Sequence, residues 1–136
     1  MGPRFLAISL LLSGCFGVPQ DATVERLSVK AWGGTVGSCQ EMQIYLLDET
    51  AARGACDGVD ATTATPVDPA TVDAIEAGIE RSQFSAANVN PPPDCPSCPT
   101  RAYSLLMSSE SEDASTQGRI IPDPSLTEAL APLSPP

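Results

Sequence analysis

Residues 24–32 alternate strictly, with Leu27, Val29 and Ala31 facing one way and Arg26, Ser28 and Lys30 set between them. A period of two is the spacing of a strand that has one face on a core and the other in water. Gly33-Gly34 and Gly37 break the pattern, and residues 39–47 resume it, with Met42, Ile44 and Leu46 on one side and Gln43 and Tyr45 on the other. Asp48-Glu49-Thr50 then turns the chain, residues 52–56 return as a weaker strand, and Asp57-Gly58 ends it. Glycine-punctuated alternation of this kind makes antiparallel neighbours. A sheet is therefore the foundation of the fold.

One helix joins it. After a Thr- and Ala-rich connector over residues 60–66, Asp68 reads as an N-cap and Pro69 as the first helical residue. Val72, Ile75 and Ile79 fall at i, i+3 and i+7, an apolar stripe on a helix over 69–82. Asp73, Glu76 and Glu80 form its wet face, where no apolar pocket would tune a carboxyl for acid–base work. Residues 88–99 make a proline-dense loop, and 101–107 another strand with Tyr103, Leu105 and Met107 on one face. The polar stretch 108–118, with Glu110, Glu112 and Asp113, lacks the spacing of a calcium loop and reads as a solvated hairpin loop. Residues 119–121 suit a last edge strand before Pro122. Ser125 and Glu128 have capping-box spacing, opening a short helix with Leu126, Leu130 and Leu133 on one side. Residues 134–136 should fray.

The expected fold is α+β: a small antiparallel sheet of about four to five strands, the 69–82 helix packed on one face, and a short C-terminal helix. Its core would be Leu27, Val29, Trp32, Met42, Ile44, Leu46, Val72, Ile75, Ile79, Tyr103, Leu105 and Met107.

Composition narrows the chemistry. Seventeen acidic residues against seven basic ones give a formal charge of −10. That balance disfavours nucleic acid, whose binding relies on Lys and Arg neutralising phosphates, and keeps a domain soluble. The chain has no histidine, which removes Ser-His and Cys-His pairs and histidine-ligated zinc. No catalytic residues, metal or cofactor are expected, and the chain does not read as an enzyme. Four of the five cysteines, Cys39, Cys56, Cys95 and Cys98, read as two disulfides with three formal connectivities. The returning strand brings Cys56 toward Cys39, and proximity pairs Cys95 with Cys98. The Cys95-Pro96-Ser97-Cys98 loop also admits a thiol–disulfide or metal-handling alternative. However, it follows Pro91-Pro92-Pro93 and does not open a helix that would activate a thiol. Cys39 and Cys56 are too far apart in sequence for one of the close pairs of a four-thiolate zinc site.

The fifth cysteine closes a different motif. Arg4 precedes an apolar run over residues 5–12, and Leu12-Ser13-Gly14-Cys15 follows. Such a run is too short to span a bilayer, which takes about 20 helical residues, and has the layout of a secretory leader. Leu-Ser-Gly-Cys resembles the lipobox of bacterial lipoproteins. The resemblance implies cleavage before Cys15 and acylation (palmitate among the chains) of its thiol. Stable anchorage takes more than one acyl chain. Phe16 stands where the family's inner-membrane retention signal would place aspartate, so the resemblance implies an envelope protein anchored to the outer rather than the inner membrane. The expected organisation is a leader over 1–14, a lipidated tether over 15–23, one domain over 24–133 and a tail over 134–136. What remains of the 136 residues after the leader suffices for one domain.

The domain itself resembles the emfourin type of small bacterial metalloprotease inhibitor. The residues that carry this are Trp32-Gly33-Gly34, Ile44-Tyr45-Leu46-Leu47-Asp48, the stretch 69–79, Asn90-Pro91-Pro92-Pro93 and Tyr103-Ser104-Leu105. Thr35 departs from that pattern, which has an aromatic residue after Gly-Gly, and the Cys95/Cys98 pair is additional. The resemblance implies a non-catalytic binding module with a secreted protease as partner, beside the bilayer that holds the acyl chains.

Overall fold

The computed structural model describes residues 22–33, 37–85, 100–109 and 112–136. Seven antiparallel strands form one sheet in the order β4-β3-β2-β1-β6-β7-β5. β1 (Ala22–Gly33) lies at its centre, between β2 (Gly37–Tyr45) and β6 (Thr100–Ser109). β3 (Thr50–Ala55) and the two-residue β4 (Thr65–Pro66) extend one side. On the other side β7 (Glu112–Ile121) pairs with β6, and β5 (Gln83–Ser85) closes the edge.

Register explains which residues become core. Leu27 lies opposite both Ile44 and Leu105, and Val29 opposite both Met42 and Tyr103. Tyr103 in turn faces Ile120, which faces Phe84. Cross-strand partners share a face, so these residues form one apolar surface, and a one-residue slip of any strand would turn its set to water. α1 (Pro69–Glu80) and α2 (Pro124–Leu130) supply Val72, Ile75, Ile79, Leu126 and Leu130 to the same buried cluster. Each such aliphatic side chain contributes about 1.5–3 kcal/mol by leaving water. Every residue expected in the core is buried. Trp32 alone among them stands outside the contiguous cluster, because its parity places it on the opposite face.

The two helices meet at Gly78. A Cβ there would lie 2.6 Å from Leu126 Cα, closer than atoms can pack, so only glycine permits the approach. Ser82, just beyond α1, fastens the pair: its hydroxyl donates to Gly78 O at 2.8 Å and accepts from the Asp123 N–H at 2.9 Å. Farther along, Arg53 on the sheet donates to the Leu133 and Ser134 carbonyls, the latter at 2.8 Å. That bond ties the start of the expected frayed tail to β3.

The α+β class stands, but the sheet is wider than the four to five strands expected. β4 and β5 have two and three residues, too few for any periodicity to show. β7 occupies most of what reads as a solvated loop, because backbone pairing with β6 does not require apolar side chains. Residues 119–121 are consequently covered by β5 and do not form an edge. The first helix stops at Glu80, and Phe84, two residues past its expected end, belongs to a strand and to the core. Asp68 holds the N-cap position without a side-chain bond, while its carbonyl accepts from the Thr71 and Val72 N–H groups at 2.9 and 3.1 Å. For α2 the cap is Asp123 and not Ser125, with Pro124 in the first turn; the aspartate accepts from the Ser125 N–H. Proline's fixed φ suits a first turn, which moves the start ahead of the capping-box reading.

Candidate functional site

With the helices on one face, the opposite face of the sheet gathers the polar members of the alternation. In register across β1, β2 and β6, Arg26 lies opposite Tyr45 and Leu106, Ser28 opposite Gln43 and Ser104, and Lys30 opposite Glu41 and Ala102. This face is not simply wet: Ser28, Glu41 and Ser104 are all buried, Glu41 being 3% exposed.

Glu41 is the centre of a hydrogen-bonded chain. Tyr45 donates its hydroxyl to Gln43 Oε1 at 2.5 Å, and Gln43 Nε2 donates to Glu41 Oε2 at 2.9 Å. The other carboxylate oxygen, Oε1, accepts the Asp57 backbone N–H at 3.0 Å. Asp57 also sets its own carboxylate 3.5 Å from Lys30 Nζ. A buried carboxylate is costly unless its oxygens are satisfied, and here each accepts a donor with a lysine in the opposing position. Burial raises the Tyr45 phenol above its ordinary pKa; Arg26 opposes the shift, and Glu41 and Asp60 reinforce it.

Local sequence explains how the turn reaches Glu41. Gly54 is its cross-strand partner on β3. A Cβ at Gly54 would meet Gly58 O at 3.2 Å and Val59 Cα at 3.3 Å, so the missing side chain lets the chain after β3 fold close over this face. Asp57 takes φ 64°, a left-handed conformation that aspartate tolerates better than most residues. Beyond it, the Asp60 carboxylate accepts from the Thr62 hydroxyl and N–H, which holds its pKa below the usual value.

Cys39 and Cys56 are joined by a disulfide, with Cα atoms 5.4 Å apart. It ties β2 to the residue that follows β3, where the Cys56 N–H also donates to Cys39 O at 3.2 Å. The expected hairpin pairing is present. Cys15, Cys95 and Cys98 lie outside the described residues, as do the leader at 1–14, residues 15–21 of the expected tether and the proline-dense stretch at 88–99, while residues 22 and 23 of that tether belong to β1. Among the described residues no group of three or more His, Cys, Asp or Glu could hold a metal ion, and no helix is long and apolar enough to cross a membrane.

Two donors on this face are buried without a hydrogen-bond partner, Arg26 Nε and Trp32 Nε1. Chemically, the arrangement fixes charge rather than offering a solvent-facing carboxylate to a substrate. Alternation puts Gln43, Tyr45, Ser28 and Lys30 on the polar side but does not mark Glu41 as central. Its parity was a signal; its burial depends on Gly54 and the turn that follows. No protein-family model, curated protein or solved structure matches the chain.

Proposed function

We propose that the protein is a lipid-anchored component of the bacterial cell envelope whose folded domain is a non-catalytic binding module, with a secreted protease as the partner class. The observation that carries the anchor is the sequence of Arg4, the apolar run over 5–12 and Leu12-Ser13-Gly14-Cys15. The position of the fold supports it. β1 begins at Ala22, so a short tether of residues 15–21 separates Cys15 from the sheet. Fully extended, such a segment reaches about 25 Å, which would keep the domain beside the bilayer. Outer-membrane attachment follows from Phe16 behind the lipidated cysteine.

Non-catalytic binding is supported by a chain without histidine and by a central carboxylate already engaged by Gln43 and Asp57. The protease partner rests on the emfourin-like motifs. Labelled palmitate tests the anchor: it should enter the wild-type chain and not Cys15→Ser, which should accumulate as an unprocessed precursor. Failure of the wild type to label beside a labelled control lipoprotein would overturn the anchor. For the partner, the lipidated protein should capture a secreted protease from native envelopes and lower its activity; an uninhibited protease would remove the inhibitor reading.

A further inference from the structure

The disulfide and the polar network meet at one residue. Asp57 follows Cys56 directly, and through its backbone N–H and its carboxylate it touches both Glu41 and Lys30. We propose that the Cys39–Cys56 disulfide is a redox latch on this network. Oxidised, it seats Asp57 against Glu41 and Lys30; reduced, it frees Asp57 while the helix-covered core stays folded.

Three features carry this. Cys39 and Cys56 are both only partly buried, which leaves the bridge near solvent rather than in the core. Cys56 is bonded to Cys39 and directly precedes the left-handed Asp57, so the bridge anchors the chain at the entry to the turn. The core contacts lie on the opposite face of the sheet and involve no cysteine. Opening would therefore be local, confined to the turn and the polar face, as sub-global openings commonly are. In the step itself, a dithiol reductant attacks the bridge and passes through a mixed disulfide. The Cys39–Cys56 bond breaks, both sulfurs become thiols with the two electrons and two protons supplied, and the reductant closes to its own disulfide. Glu41 then loses one donor from a buried carboxylate and Lys30 loses a counter-ion.

Amide hydrogen exchange by NMR reads this out, in a Cys95→Ser/Cys98→Ser background so that one bridge alone responds. On reduction, exchange at the Asp57 amide should quicken by about tenfold more than at Val29, the scale expected for losing a hydrogen bond to a charged group. Cys39→Ser/Cys56→Ser should behave as the reduced chain does. Glu41→Met, which removes the acceptor with the bridge intact, should by itself weaken Asp57 protection. Equal acceleration at Asp57 and Val29, including outright unfolding, would make the bridge a staple of the whole domain and overturn the latch. An Asp57 amide indifferent to reduction would overturn it too, as would one indifferent to Glu41→Met, which leaves no acceptor at that position.

Discussion

Asp123 shows how much one side chain organises at a helix start. Its carboxylate accepts from the Ser125 hydroxyl at 2.6 Å and from the Ser125 N–H at 2.9 Å, and these bonds, with Arg81 nearby, hold its pKa below the ordinary value. A depressed carboxyl stabilises the fold above its unfolded pKa of about 3.9, and the contribution is lost as pH falls through the folded value. Asp123→Ala should therefore lower the melting temperature at pH 7, and the gap to wild type should narrow as pH falls below the unfolded carboxyl pKa of about 3.9. A gap that persists in acid would assign the loss to packing. At Gly78 two effects compete. Alanine in a helix is favoured by about 1 kcal/mol over glycine, but overpacking costs about 1–3 kcal/mol. Because the obstructing atom is backbone, 2.6 Å from the new Cβ, strain should win, and Gly78→Ala should destabilise the domain in urea. Equal or greater stability would mean that α2 moves aside freely.

Among the elements, α1 gives the sharpest test. Ile75 is fully buried on the stripe that meets the sheet, so Ile75→Ala should cost about 2–5 kcal/mol in denaturant unfolding. A cost below about half a kcal/mol would deny that the stripe is packed. This helix was legible in the sequence because three apolar residues at helical spacing and an Asp-Pro start agree. The central strands were legible for the same reason: Leu27, Val29, Met42, Ile44, Leu105 and Met107 keep a period of two over long runs. β4 and β5 were too short for a period to show, and of β7 only residues 119–121 were legible, since its earlier part spells Glu-Asp-Ala-Ser-Thr-Gln-Gly and pairs through its backbone. The Cys39–Cys56 bridge could be read from the hairpin return. The burial of Glu41 could not, for it depends on a turn laid over Gly54 by tertiary contacts.

At the scale of the molecule, the two ends of the sheet differ, because β1 begins at only one of them. β1 enters at Ala22, beside the β2–β3 turn, where the Leu46 N–H donates to Glu25 O at 3.1 Å. That end carries Glu25, Asp48 and Glu49 and would face the bilayer in a chain anchored through Cys15. Acidic groups there would give no grip on anionic head groups, so under the proposed anchor attachment would rest on the acyl chains. Without the anchor the domain should partition into the aqueous phase. The most direct measurement is the mass of the intact chain recovered from cell membranes, with fragmentation of its first residues. A polypeptide that begins at Cys15 and carries acyl chains on that residue is the expected result. A chain that begins at Met1, or one with an unmodified Cys15, would contradict it.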